Sequence, residues 1–271
     1  MTARTPADED AIEATKAPLL DHLIELRKRL VISIIAFVVC FLFCFAFAKY
    51  IYAFLTEPLA HALAGQPNHH LIYTALYETF FTYVKLGMFA GLCLSFPIVA
   101  SQLWLFIAPG LYRQERRAFL PFLAATPILF LIGAAFVYYV MLPFAIRFFV
   151  SYETPGGHGT LGIELQAKVS EYLDFVTTLI FAFGLCFQLP VLLALLGRVG
   201  IVSSAQLRSV RRYAILGIVA LSAVVTPPDV FSMISLALPL TLLYEISIWC
   251  VRLIEKRRAR EDAERATGSP A

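Results

Sequence analysis

Charged residues are scarce in this chain. Asp, Glu, Lys and Arg make up 15% of its 271 residues, whereas hydrophobic residues make up 59%. Soluble domains carry about 25% charged residues, so the composition excludes a soluble domain and is typical of an integral membrane protein. Six long runs contain no charged residue: 30–48, 86–112, 118–146, 175–197, 213–228 and 230–244. The first four are long enough to supply the roughly 20 residues that cross a bilayer core.

Paired cysteines and enzyme motifs are also missing. The five cysteines are odd in number, have no CxxC spacing and lie within or beside apolar runs. This pattern indicates neither a disulfide framework nor a zinc site. HExxH, GxSxG and Walker motifs are absent and no histidine lies in an apolar run, so we predict no catalytic site, metal or cofactor. The lack of an internal repeat argues against a transporter with inverted halves, although a proton- or ion-coupled small-solute transporter stays open as an alternative.

The distribution of basic residues predicts how the chain is oriented. Of the 22 lysines and arginines, eighteen fall in the N-terminal segment, the loops after spans two and four, and the C-terminal tail. The positive-inside rule therefore predicts that both termini are cytoplasmic. We divide the chain into an amphipathic N-terminal segment (1–29), a membrane domain (30–252) and a disordered tail (253–271). The six predicted spans lie at about 30–48, 79–107, 118–144, 173–196, 211–226 and 230–251.

The predicted fold class is an all-α polytopic membrane protein with six kinked helices. Span five is short: Tyr213 to Thr226 reaches only about 21 Å, less than a hydrocarbon core of about 30 Å. Prolines that favour kinks lie in spans two, three, four and six. A short fifth–sixth hairpin beside bent spans predicts a concave face. Asp229, which follows Pro227-Pro228, can N-cap span six or contact a ligand.

Few polar side chains lie at membrane depth. Gln188 is in the middle of span four, where its amide needs hydrogen-bond partners. It can pair with a neighbouring helix or face a wet cavity. Glu245 lies near the cytoplasmic end of span six and can snorkel or pair with Arg252. Lys85 is expected to reach the interface at the outer end of span two.

A carboxylate among basic residues precedes the first span. Leucines 19, 23, 26 and 30 form one helical stripe, and Glu25 lies away from it among Arg27, Lys28 and Arg29. Glu25 can form an i,i+4 ion pair with Arg29 or recognise a cationic ligand. Glu115, in the loop after span two, lies on the same side of the membrane and is open to the same two interpretations.

Three ordered motifs together resemble the TatC family. They are His22-Leu-Ile-Glu-Leu-Arg-Lys-Arg-Leu30, Phe106-Ile-Ala-Pro109 with Leu111-Tyr112 and Glu115-Arg-Arg117, and Thr226-Pro-Pro-Asp-Val-Phe231. TatC is the six-span receptor subunit of the twin-arginine protein translocase. The resemblance extends from about residue 19 to residue 253 and includes Pro58, Gly133, Pro143 and Pro190.

The resemblance implies a function that composition and spacing cannot name. A TatC-like chain would bind the paired arginines of signal peptides and help move folded proteins across the cytoplasmic (inner) membrane, using the proton-motive force. Its expected partners are the single-span proteins TatA and TatB, further TatC copies within a TatBC complex, and membrane lipids. No nucleic acid is expected.

The resemblance also implies a set of site residues. Glu25 and Glu115 would hold the arginines, with further signal-peptide contacts from His22, Arg27, Arg29 and Phe106. Many relatives carry a glutamate where this chain has Gln188, for which we expect a polar role. Partner helices dock on spans five and six in the family, and the candidate docking residues are Thr226, Asp229 and Met233.

Overall fold

The computed structural model describes residues 6–63, 70–107, 116–154, 161–225 and 230–267. These ranges contain ten α-helices: α1 (Pro6–Ala46), α2 (Ala48–Ala62), α3 (Glu78–Ile107), α4 (Arg116–Phe136), α5 (Leu142–Val150), α6 (Val169–Cys186), α7 (Leu189–Val199), α8 (Ser204–Ser209), α9 (Arg211–Val225) and α10 (Val230–Thr267). A π-helical turn, Val137–Met141, joins α4 to α5. The predicted all-α membrane fold is confirmed.

Five stretches of the described chain are long and apolar enough to cross a membrane: Leu23–Ala46, Glu78–Phe106, Phe122–Val150, Val169–Val199 and Met233–Arg260. Helix α9 corresponds to the predicted short fifth span. Its 15 residues reach about 22 Å at 1.5 Å per residue, which is less than the thickness of a hydrocarbon core. The bundle therefore has five long spans and one short one.

A change of helix type interrupts the third span. Within the π-helical turn, the Leu142 N–H donates to the carbonyl of Val137, five residues earlier. Pro143 follows directly and has no N–H to donate to the preceding turn. Because a π-helical turn is wider than an α-helical turn, the positions of Tyr138 and Tyr139 differ from those they would have in an uninterrupted α-helix.

The fourth span is broken where a proline was expected to bend it. Helix α6 ends at Cys186 and α7 begins at Leu189, directly before Pro190. The other spans tolerate their prolines, since α3 and α10 continue as helices through Pro97 and Pro239.

Helix α1 packs mainly along α3, and glycines permit the close approach. A Cβ atom added at Gly91 would lie 2.6 Å from Phe41 Cα, and one at Gly87 would lie 3.1 Å from Phe45 Cα. Small residues four apart allow two membrane helices to pack backbone against backbone. Only 6% of the most apolar part of the span Leu23–Ala46 is buried within the protein, so most of α1 does not pack against other helices.

The main core lies around α6. Val137, Leu142, Val176, Phe183 and Val251 are fully buried there, and they come from the third, fourth and sixth spans. Each buried aliphatic or aromatic side chain fills space between helices, which is the principal source of packing energy when lipid surrounds the bundle. Helix α6 is therefore the scaffold against which the other spans are positioned.

One carboxylate ties together the loops at the end of the bundle that carries α2, here called the α2 end. Glu78 accepts hydrogen bonds from the Thr74 N–H at 2.8 Å and from Ser170 Oγ at 2.7 Å. Lys168 Nζ lies 3.6 Å from the same carboxylate, and Ile72 pairs with Lys168 in a parallel β-bridge. We call this arrangement the Glu78 latch. The opposite end of the bundle is called the Glu25 end.

Helix α10 continues to Thr267, through most of the segment 253–271 that the sequence analysis predicts to be a disordered tail. A tertiary contact is present at the start of this extension. Glu255 accepts a hydrogen bond from the Ser204 N–H at 2.8 Å, and the Ser204 hydroxyl donates to it as well. The extension thereby packs against the α7–α8 connection instead of separating from the membrane domain.

Candidate functional site

The candidate receptor residue Glu25 lies on the N-terminal half of α1, and the packing of α1 on α3 fixes its neighbours. The two helices run antiparallel, with Phe41 opposite Gly91. Moving sixteen residues along both helices in this register brings Glu25 level with Ile107, the last residue of α3. Glu25 therefore lies beside the start of the loop that carries the second motif.

Glu25 is held by Arg29, one turn further along α1. Arg29 Nε donates to Glu25 Oε1 at 3.0 Å, and Arg29 Nη2 forms an ion pair with the same oxygen. The predicted i,i+4 pair is thus present. Glu25 Oε2 accepts no hydrogen bond from the described residues. The carboxylate keeps one oxygen for a further guanidinium, since a carboxylate offers about four acceptor positions.

The other residues proposed for signal-peptide contact differ in what the structure says of them. Arg27 is exposed on α1, and Phe106 is half-buried in the last turn of α3. Both lie at the Glu25 end, so the structure brings them to the same region as Glu25. Glu115 and the side chain of His22 lie outside the described residues.

Gln188 pairs with a neighbouring helix, which is the first of the two alternatives left open by the sequence. It occupies the break between α6 and α7, and its Nε2 donates to the carbonyl of Thr126 on α4 at 2.9 Å. The Thr126 hydroxyl in turn accepts from Trp104 Nε1 at 3.0 Å and donates to the Phe122 carbonyl at 2.9 Å. A polar chain therefore crosses three spans at membrane depth.

This polar chain leaves one acceptor unused. Gln188 Oε1 is buried and has no hydrogen-bond partner among the described residues. A buried acceptor without a partner costs free energy, so Gln188 has spare capacity for a donor from outside the chain. Trp104 and Thr126 carried no recognisable signal in the sequence, because their contact with Gln188 depends on how three distant spans pack.

The candidate partner-docking residues lie away from Glu25. Met233 is half-buried near the start of α10, at the α2 end of the bundle. Thr226 and Asp229 lie outside the described residues. The structure therefore does not bring Met233 together with Glu25.

Two charged pairs were not foreseen. Lys85 Nζ donates to Asp174 Oδ2 at 2.8 Å across α3 and α6, so Lys85 has a partner as well as access to the interface. Glu245 forms its ion pair with Arg211 at the start of α9, in place of the Arg252 pairing considered from the sequence. The sequence feature that could have predicted the first pair is Asp174, an acidic residue near the start of span four.

The chain matches the model of the family described as Sec-independent protein translocase protein (TatC) over residues 21–239. It is 47% identical over 248 residues to the Sec-independent protein translocase protein TatC of Magnetococcus marinus, covering 92% of this chain and 89% of that protein. The protein of the same name from Escherichia coli strain K12 is 40% identical over 253 residues, covering 93% and 95% of the two chains.

Solved structures show the same similarity in three dimensions. A crystal structure of the twin arginine translocase receptor TatC matches with a TM-score of 0.74 and 37% identity, covering 86% of this chain and 99% of that chain. A second crystal structure of this receptor, in DDM, matches with a TM-score of 0.74 and 38% identity, covering 84% and 98%.

Proposed function

This chain belongs to the TatC family of Sec-independent protein translocase proteins, and we propose that Glu25 and Glu115 are the groups with which it binds the paired arginines of signal peptides. It is a multi-pass membrane component of the twin-arginine translocase. The observation that best supports the proposed site is the half-occupied carboxylate of Glu25, one oxygen of which is free of partners among the described residues.

The geometry suits recognition of a guanidinium. An arginine side chain is planar and permanently charged, and it binds carboxylates through parallel N–H donors. Arg29 fixes the orientation of Glu25 through Oε1, so an incoming arginine can bind Oε2 without first ordering the side chain. The α1–α3 register brings Glu25 level with Ile107, which is eight positions before Glu115 in the sequence. Two carboxylates at one interface can then each hold one arginine.

Partners and energy source follow from family membership as further proposals. The protein would act with TatA and TatB, in a complex containing several copies of itself, and would draw on the proton-motive force. It would lie in the cytoplasmic membrane with both termini in the cytoplasm, where signal peptides are presented. Its role would be receptor and transport component, not enzyme.

Cross-linking to a signal peptide tests the site. A twin-arginine signal peptide with a photoreactive group beside its arginines should cross-link to the wild-type protein in membranes. Glu25→Ala and Glu115→Ala should each reduce the yield by tenfold or more, because about 2 kcal/mol of charge-assisted hydrogen bonding is lost. Glu164→Ala is the matched control, since Glu164 is an exposed carboxylate at the α2 end.

Membrane content of each variant is measured on the same samples, so a failure to fold is distinguished from a failure to bind. The assignment is rejected if both Glu25→Ala and Glu115→Ala cross-link as well as the control. A signal peptide with paired lysines should cross-link to the wild-type protein as weakly as the paired-arginine peptide cross-links to the two variants. The reason is that lysine lacks the planar fork of donors.

A further inference from the structure

A polar cavity of about 590 Å³ lies at the α2 end, between α2 and the segment formed by the π-helical turn and α5. Glu57 and His61 line it from α2, and Tyr138 and Arg147 line it from the other side. Arg147 is within four residues of the end of the third span. The cavity is therefore at the depth where a membrane helix meets the headgroup layer.

The cavity presents both signs of charge. Glu57 accepts a hydrogen bond from the Tyr138 hydroxyl at 3.1 Å, and His61 Nε2 lies 3.5 Å from the other carboxylate oxygen. On the facing wall, the guanidinium of Arg147 makes no hydrogen bond or ion pair with the part of the chain that the structure describes. One fixed carboxylate and one unpaired cation therefore face the same space.

An apolar groove adjoins this cavity. It has a volume of about 560 Å³ and extends into the membrane region between α1, α3 and α4. Phe54, Tyr138 and Tyr139 line both spaces, and the Phe54 and Tyr138 rings stack with centroids 4.3 Å apart. Each volume lies within the range of about 300–1,000 Å³ that small-molecule sites occupy.

We propose that the two spaces together bind one phospholipid with a phosphoethanolamine headgroup. The phosphate lies against Arg147, the primary ammonium lies against Glu57, and one acyl chain follows the apolar groove. Charge complementarity selects this headgroup, because an anionic lipid such as phosphatidylglycerol offers Glu57 no cation. The site is distinct from Glu25, which lies at the opposite end of the bundle.

Native mass spectrometry of the full-length protein in detergent tests the headgroup preference. Palmitoyl-oleoyl phosphatidylethanolamine and phosphatidylglycerol are titrated separately, so that only the headgroup differs. The wild-type protein should bind phosphatidylethanolamine about tenfold more tightly, and Arg147→Gln should weaken that binding about tenfold, as expected for one charge-assisted interaction. Glu57→Gln should abolish the difference between the two lipids.

Matched controls distinguish lipid binding at this site from nonspecific binding of lipid to the protein surface. Lys49→Gln and Glu164→Gln remove exposed charges at the same end that line neither space, and both should bind phosphatidylethanolamine like the wild type. Equal binding of the two lipids by the wild-type protein overturns the proposal. It is also overturned if Arg147→Gln binds phosphatidylethanolamine as well as Lys49→Gln does.

A third pair of variants tests the acyl-chain groove. Ala135 is exposed and lines the groove, whereas Ala124 is exposed on the same helix and does not. Ala135→Phe should lower phosphatidylethanolamine binding several-fold, and Ala124→Phe should leave it unchanged. Circular dichroism checks that both retain their helices. Equal binding by these two folded variants contradicts the placement of the acyl chain.

Discussion

At the scale of single residues, the polar chain through Trp104, Thr126 and Gln188 shows what sequence can and cannot predict. The need of Gln188 for a partner follows from its position in an apolar span. The identity of that partner does not, because Thr126 is 62 positions away and its carbonyl is available only once α4 packs against the break between α6 and α7. The unpartnered Oε1 of Gln188 has no signal in the sequence at all.

Substitutions in this polar chain should differ in how much they lower the free energy of unfolding. Thr126→Val leaves the buried Trp104 Nε1–H without the hydroxyl that accepts it, which should lower the free energy of unfolding by about 1–3 kcal/mol. Gln188→Met loses the hydrogen bond to the Thr126 carbonyl and a long one, 3.5 Å, to the Gly184 carbonyl. It also removes the unpartnered oxygen, so it should change stability by less than about 1 kcal/mol. Thermal unfolding of both variants in detergent shows which of the two is the less stable. Equal destabilisation would mean that the polar chain is not arranged as described.

At the scale of helices, close approach between backbones determines which positions tolerate a side chain. The spans were predictable from long apolar runs. The prolines predicted bends in several spans but not that only the helix before Pro190 would break while α3 and α10 continue through Pro97 and Pro239. The α1–α3 register was not, because glycines occur at many positions and only some of them face another backbone. Gly91 contacts Phe41, whereas Gly217 on α9 has open space around the position of its missing Cβ.

Gly91→Ala and Gly217→Ala form a matched pair. The new methyl group at position 91 would meet the backbone of α1, which cannot move aside as a side chain can, so we expect a loss of about 1–3 kcal/mol. The same change at position 217 should stabilise α9 by up to about 1 kcal/mol, because alanine has the higher helix propensity. Thermal unfolding of both variants is the measurement. A stability loss confined to Gly217→Ala would contradict the packing.

The α10 extension should protect the α7–α8 connection. Glu255→Ala removes the acceptor for the Ser204 N–H and hydroxyl, worth about 1 kcal/mol for partly exposed bonds. Amides of α8 should then exchange with deuterium about fivefold faster by mass spectrometry. Lys256→Ala, a change at the adjacent exposed residue, should leave the exchange unchanged. If both variants exchange alike, the contact does not hold α8 in place.

At the scale of the whole molecule, the fold class and the family were predictable, and both are confirmed by the structure and by the relatives. The distribution of apolar runs and basic loops was sufficient for the fold class, whereas the family was recognised only from the three ordered motifs. Helix α2 and the helical tail were not predicted, because both depend on contacts with distant segments. Glu25 and Glu115 were proposed as a pair only by combining three motifs, since each carboxylate alone is consistent with an ordinary ion pair.

The proposed orientation can be tested with cysteine labelling in intact cells. In a variant without the five native cysteines, Ser151→Cys lies at the α2 end and Ser209→Cys lies at the Glu25 end, and both positions are exposed. A membrane-impermeant maleimide should label the first in intact cells and the second only after permeabilisation. The reverse pattern would place the termini on the outer side.

The Glu78 latch has a consequence for biogenesis. Ser170 lies 92 positions beyond Glu78, so the carboxylate has no hydroxyl donor from the second loop while the first three spans are being synthesised. Joining segments that are far apart in sequence carries a loop-closure cost that is repaid only when both are present. The contacts at the α2 end can therefore be completed only after Lys168 and Ser170 have been synthesised.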